Sequence, residues 1–143
     1  MMMNCSNDIV FVVDESGSIG SSNFGLMKRC MSRWVSWLDI DSGNTRVGLV
    51  TYSDGVGTSI NLNAHLLVAS LQRAILSLSY MGGGTNAAPA LEYVRTTMLT
   101  SAAGSRSNVP NVVVIITDGG SHNLALTRVS GGYKISRMLL LLH

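Results

Sequence analysis

The sequence predicts an α/β fold, a mostly parallel sheet covered by helices on both faces. Three observations carry this. Two runs, Ile9–Val13 and Val112–Ile116, are apolar at every position, as strands are when both faces of a parallel sheet are covered. Each run stops abruptly in polar residues, Asp14 in the first case and Thr117-Asp118 in the second. Between them the order reads strand, helix, strand, strand, helix, helix, strand, which is the alternation of a sheet with crossover helices.

The elements follow in turn. Ile9–Val13 is the first strand. Ser21, Ser22 and Asn23 offer caps for a helix whose apolar stripe is Phe24, Met27, Met31, Trp34, Val35 and Leu38. Asp41-Ser42-Gly43-Asn44 is a turn, and Arg46–Tyr52 a second strand. Asp54-Gly55 signals a hairpin into a short third strand, Gly57–Leu62, antiparallel to the second. Ala64–Leu78 is helical, with Leu67, Leu71, Ala74, Ile75 and Leu78 on one side. Gly82-Gly83-Gly84 breaks the chain. Thr85 or Asn86 caps the next helix, Pro89 lies in its first turn, and Ala87, Leu91, Val94 and Met98 form its stripe. Ala102–Asn108 is a small polar loop before the last strand, Val112–Ile116.

Composition narrows the function classes. The 143 residues are one domain's worth, 46% hydrophobic and 13% charged, so the chain packs rather than staying disordered. A net charge of +2 is too weak to argue for nucleic acid. The sign is also local. Residues 1–127 hold seven basic residues against eight acids, while Arg128, Lys134 and Arg137 fall in the last sixteen positions. The body, 1–127, therefore differs from a divergent tail, 128–143. Cys5 and Cys30 fit two free thiols as well as one bridge. No charged-then-apolar export signal follows Met1-Met2-Met3, and the run Met138–Leu142 is far too short to span a bilayer.

Strand ends carry the chemistry. In an open parallel sheet, ligands bind beyond the carboxyl ends of the strands, where the strand order reverses. Right-handed crossovers lay the second strand on one side of the first and the fourth on the other. Asp14 and Asp118 then emerge from neighbouring strands, about 4.8 Å apart. Two close carboxylates repel unless a cation or proton lies between them. Ser16 and Ser18 follow on a loop that Gly17 and Gly20 allow to bend, so their hydroxyls can face the same point. Glu15, pointing away from Asp14 by alternation, is expected at the surface. His65, His122 and His143 are expected to be incidental, and the roles of Tyr52 and Asp54, near the crevice, stay open. An all-oxygen donor set suits magnesium, calcium or manganese and disfavours zinc.

Asp14-Glu15-Ser16-Gly17-Ser18 resembles the DxSxS motif of von Willebrand factor type A domains, with their metal-ion-dependent adhesion site. DIVFVVDESGSIG, GGGTN at 82–86 and VVVIITDGGS at 112–121 match that family in order and spacing, over roughly residues 8–127. The resemblance implies a Rossmann-like doubly wound sheet with one antiparallel edge strand. It implies that Asp14, Ser16 and Ser18 hold a Mg2+ (or Ca2+ or Mn2+) ion. Thr85 then binds it directly in the ligand-engaged form, and Asp118 supplies the second acid. The flavour is similar to matrilins and collagen VI-like matrix proteins, which implies a secreted location. The family continues after its Asp118 counterpart with further strands and helices that the remaining residues do not resemble. The last strands are therefore expected to be missing, and Cys5 to lack a late partner. The edge of Val112–Ile116 would then lie open to self-association, unless Tyr133–Leu142 patches it as a strand or a short helix.

Two function classes follow. In the first, the cation captures a Glu or Asp of a protein ligand, such as collagen, with no role for nucleic acid or membrane. In the second, the chain is a structural or assembly module, or an inactive fragment, without metal-dependent binding. An enzyme is not expected. No GxSxG elbow or GxxxxGK phosphate loop is present, and no histidine is placed to activate Ser16.

Overall fold

The computed structural model describes residues 6–117 and 137–142. Strand β1, Asn7–Asp14, lies at the middle of a five-stranded sheet of order β3-β2-β1-β4-β5. It runs parallel to β2, Thr45–Tyr52, on one side and to β4, Asn111–Thr117, on the other. The short strand β3, Val56–Ile60, closes one edge antiparallel to β2, with an irregularity between Val50 and Tyr52. Strand β5, Arg137–Leu142, pairs parallel with β4 from Val112 to Thr117. Of the two fates open to the tail, the chain therefore takes the strand. Strand β4 has a neighbour on each side and presents no open edge.

The fully apolar strands divide the core into two layers. Phe11, Val13, Val47, Leu49, Val114 and Ile116 face helix α1, Gly20–Val35, and helix α2, Val68–Leu76. Val10, Val12, Val50, Val113 and Ile115 face α3, Ala88–Tyr93, and the π-helical turn Val94–Met98 that continues it. The predicted stripes occupy these layers. Phe24, Met27, Met31 and Val35 are buried on α1, and Ala87, Leu91, Val94 and Met98 on the opposite side.

Helix starts depart from expectation. Helix α1 begins at Gly20, and Ser21–Asn23 lie exposed in its first turn instead of capping it. Its entrance is already wound, because Ile19 N donates to Ser16 O at 3.1 Å. Helix α2 begins at Val68, not near Ala64. Leu62 is drawn into the far core layer, and Val68 N is capped from another loop by Asp41 Oδ1 at 2.8 Å. Leu67 consequently leaves the stripe and is 57% exposed. Helix α3 has Ala87 before it with no side-chain cap, so neither Thr85 nor Asn86 serves that role, while Pro89 does lie in the first turn. The loop expected over 102–108 opens with a short 3-10 helix, Ser101–Ala103.

The amino ends of the strands are locked by Arg106. Its Nε donates to Asp8 Oδ1 at 3.0 Å, its backbone N to Asp8 Oδ2 at 2.7 Å, and its terminal nitrogens to the carbonyls of Gly43, Asn7 and Asn44. Asp8 is fully buried, so this planar fork neutralises a charge and gathers three chain segments at once. The carboxyl ends of the strands are left for the site.

Candidate functional site

Three segments meet at the carboxyl edge of β1. The register pairs Asp14 with Tyr52 and Val13 with Ile116, so Asp14 and Thr117 are neighbours across the β1–β4 ladder. Asp14 is fully buried. Its Oδ1 accepts from Ser16 N at 2.8 Å and its Oδ2 from Thr117 Oγ1 at 2.9 Å. The first bond curls the loop back over the strand end. The second ties the two central strands at the point where the sheet order reverses.

Ser16 and Ser18 sit on one side of that curl, their hydroxyl oxygens 3.0 Å apart. Ser16 is buried, whereas Ser18 is exposed and marks the open side. The loop before α3 lies against them. Gly17 N donates to Gly83 O at 2.8 Å, and Tyr80 Oη to Ser16 O at 2.9 Å. Thr85, half-buried, is two residues beyond Gly83 on this same loop. The structure thus brings Asp14, Ser16, Ser18 and the Thr85 loop to one edge. Asp118 lies outside the described residues, directly after Thr117.

Glu15 corrects the sequence reading. It is 1% exposed, not at the surface, and neither carboxylate oxygen has a hydrogen-bond partner among the described residues. Alternation does turn it away from Asp14. In a sheet covered on both faces, however, the opposite side is another interior. Glu15 N donates to Tyr52 O at 2.9 Å, which keeps the residue alongside β2, and its side chain tucks beneath the β2–β3 hairpin. There, a Cβ added at Gly57 would lie 3.0 Å from Glu15 Oε2. His65 is half-buried and remote from these loops in the chain, in line with an incidental role, and His122 and His143 lie outside the described residues.

Sequence reasoning missed one participant, Tyr80, and left the role of another, Asp54, open. Tyr80 reaches Ser16 across 64 positions and carries no local signal. Asp54 accepts from Gly84 N at 2.8 Å, visible only once the hairpin and the glycine loop are adjacent. Thr117 was legible as the hydroxyl at the end of an apolar strand.

A buried acid, two hydroxyls on the following curl and a threonine loop meet at the switch point of a doubly wound sheet, which sets the chain in the class of Rossmann-like domains with a site at the carboxyl edge. Residues 8–136 match the von Willebrand factor type A domain, and the chain belongs to that family. It is 43% identical over 116 residues to the collagen alpha-4(VI) chain of Mus musculus, covering 80% of this chain and 5% of that one. It is 37% identical over 119 residues to matrilin-4 of Homo sapiens, covering 81% and 19%. With vitrin of Homo sapiens it shares 35% over 116 residues, covering 81% and 17%. The chain therefore spans less than a fifth of each of these relatives. Among solved structures, proximal thread matrix protein 1 from the mussel byssus superposes with a TM-score of 0.76 at 27% identity, over 82% of this chain and 31% of that one. A further structure of the same mussel protein, with a TM-score of 0.74 at 26% identity over 80% of this chain and 31% of that one, has a zinc-occupied MIDAS motif.

The residues present fit a hard cation. The side chains that converge there, Asp14, Ser16 and Ser18, offer oxygen atoms alone, and the fully buried carboxylate of Asp14 lies at their centre while that of Glu15 turns away beneath the hairpin. Among the described residues no helix is long and apolar enough to cross a membrane.

Proposed function

We propose that the domain is an extracellular protein-binding module that captures an acidic side chain of a matrix protein through a divalent cation. Asp14, Ser16 and Ser18 would hold the ion with Thr85 and Asp118. The observation that carries this reading is the convergence of two loops distant in sequence: Gly17 N on Gly83 O and Tyr80 Oη on Ser16 O set the threonine loop beside the DxSxS curl. When bound, the ion would supply an electrophilic position for a partner's Glu or Asp. Asp14 contributes the charge, and its bonds to Ser16 N and Thr117 Oγ1 hold that carboxylate in one orientation before any ion arrives. Ser16 and Ser18 add neutral oxygens, so Asp14 and Asp118 would do no more than balance the ion's double charge and leave it electrophilic toward an anionic partner. The relatives, collagen, matrilin and vitrin chains, support a matrix setting and a binding role over catalysis. Magnesium is the expected ion, with calcium and manganese as substitutes; the zinc in the mussel protein makes zinc a necessary comparison.

Calorimetric titration of Mg2+ tests this, followed by retention on immobilised collagen with Mg2+ or with EDTA. Wild-type protein binds one Mg2+ and is retained only with metal, and Asp14→Ala loses both properties. Equal retention in EDTA rejects the reading.

A second reading is an assembly module that works without metal. It is favoured by the self-sufficiency of the cradle, since both Asp14 oxygens already accept bonds and Ser16 and Ser18 bond each other. Cooperative unfolding that is indifferent to Mg2+ would select it.

A further inference from the structure

The β2–β3 hairpin carries a carboxylate that the proposed cradle does not use. Asp54 is exposed at its tip, between the end of β2 at Tyr52 and the start of β3 at Val56. Its Oδ1 accepts from Gly84 N at 2.8 Å, thirty positions along the chain. Two residues further on, Asn86 N donates to Ser53 O at 2.8 Å. Thr85 is therefore flanked by two anchors, both set in the hairpin tip. On the other side of the same loop, Gly83 O is taken by Gly17 N. The threonine loop is strapped between the DxSxS curl and the hairpin.

The glycines of this loop are explained by the same carboxylate. Gly83 has φ +103°, and a Cβ there would lie 3.0 Å from Asp54 Oδ2. At Gly84 a Cβ would lie 2.6 Å from Asp54 Oδ1. The acid lies flush against bare backbone, and any side chain at 84 would push it off. A charged acceptor on a backbone N–H makes the stronger kind of hydrogen bond, and the geometry fixes the amide next to Thr85.

We propose that Asp54 is a positioning residue for ligand capture: by holding the Gly84 amide, it sets where the Thr85 hydroxyl is presented to the cation and its partner. The inference rests on the proposed role of Thr85. Asp54 acts through its hydrogen bond to Gly84 N and not through a charge felt at the cation, so asparagine, whose carbonyl oxygen still accepts from Gly84 N though more weakly, largely serves in its place.

Calorimetry with Mg2+ on wild type, Asp54→Ala, Asp54→Asn, Thr85→Ala and the Asp54→Ala/Thr85→Ala double variant tests this, beside amide hydrogen exchange over residues 82–86 without metal. Asp54→Ala weakens Mg2+ binding about tenfold, the worth of one charge-assisted hydrogen bond. Asp54→Asn stays within about threefold of wild type, on the scale of a neutral bond replacing a charged one. In the Thr85→Ala background, Asp54→Ala costs nothing further. Exchange at 82–86 accelerates in Asp54→Ala and not in Asp54→Asn. Asparagine failing as badly as alanine would show that charge is what counts and overturn the proposal, as would an alanine penalty that persists without Thr85. Equal exchange in all three proteins would overturn the tie itself. A wild-type chain that takes no Mg2+ while the exchange difference persists overturns the metal reading alone.

Discussion

Asp14 shows how much one side chain does at this edge. Its two oxygens are shared between the loop it starts and the strand beside it, so the carboxylate is fixed from both directions. Thr117→Val keeps the shape and removes one donor to a buried charge. It should cost about 1.5–3 kcal/mol, read from the urea midpoint of the metal-free protein. Glu15 gives the opposite expectation. Its carboxylate is buried and has no hydrogen-bond partner among the described residues. Glu15→Gln preserves the volume and removes the ionisable group, so the metal-free variant should be no less stable than wild type. A loss of about 1 kcal/mol or more, the worth of a net hydrogen bond, would show that the carboxylate has a partner after all. Asp14, Ser16 and Ser18 were legible because a strand that stops in an acid, with hydroxyls at every second position after it, is a local pattern. The burial of Glu15 was not, since it depends on the hairpin folding over it.

At the scale of elements, strands were easier to read than helix starts. An apolar run of five residues leaves little choice when both faces must be covered, and β1 and β4 fall where the pattern sets them. Helix starts depended on partners elsewhere: Asp41 caps Val68 from another loop, and Leu62 is pulled into the far layer before α2 can begin. Arg106 is the corresponding device at the amino ends of the strands, joining the segments around Asp8, Gly43 and the residues before β4. Arg106→Ala leaves a buried carboxylate with one backbone hydrogen bond and no counter-charge, and should destabilise by about 3–5 kcal/mol in urea. Arg106→Lys should recover little of this, because a single ammonium cannot reproduce a fork that serves Asp8 and three carbonyls. Neither change touches the opposite edge, so Mg2+ affinity measured well below the melting temperature should stay at the wild-type value.

For the whole molecule, the proposed metal capture would be linked to stability. An ion that binds the folded chain and not the unfolded one should, at a hundredfold excess over its Kd, add about 2.7 kcal/mol. For a domain of this size the melting temperature should rise by about 5–10 °C. EDTA should reverse the shift, and Asp14→Ala should show none. A melting temperature indifferent to Mg2+, Mn2+ and Ca2+ would favour the metal-free assembly reading. The sequence by itself determined the class of sheet, the two apolar strands at its centre and the acid and hydroxyls at their ends, because those follow from composition and spacing within a few residues. Only the tertiary structure decided which loops close over that edge. Tyr80 on Ser16, Gly83 on Gly17 and Asp54 on Gly84 join positions 30 to 66 residues apart, and β5 is set beside β4. Such contacts exist only when the crossovers have brought distant segments together, and no local pattern encodes them.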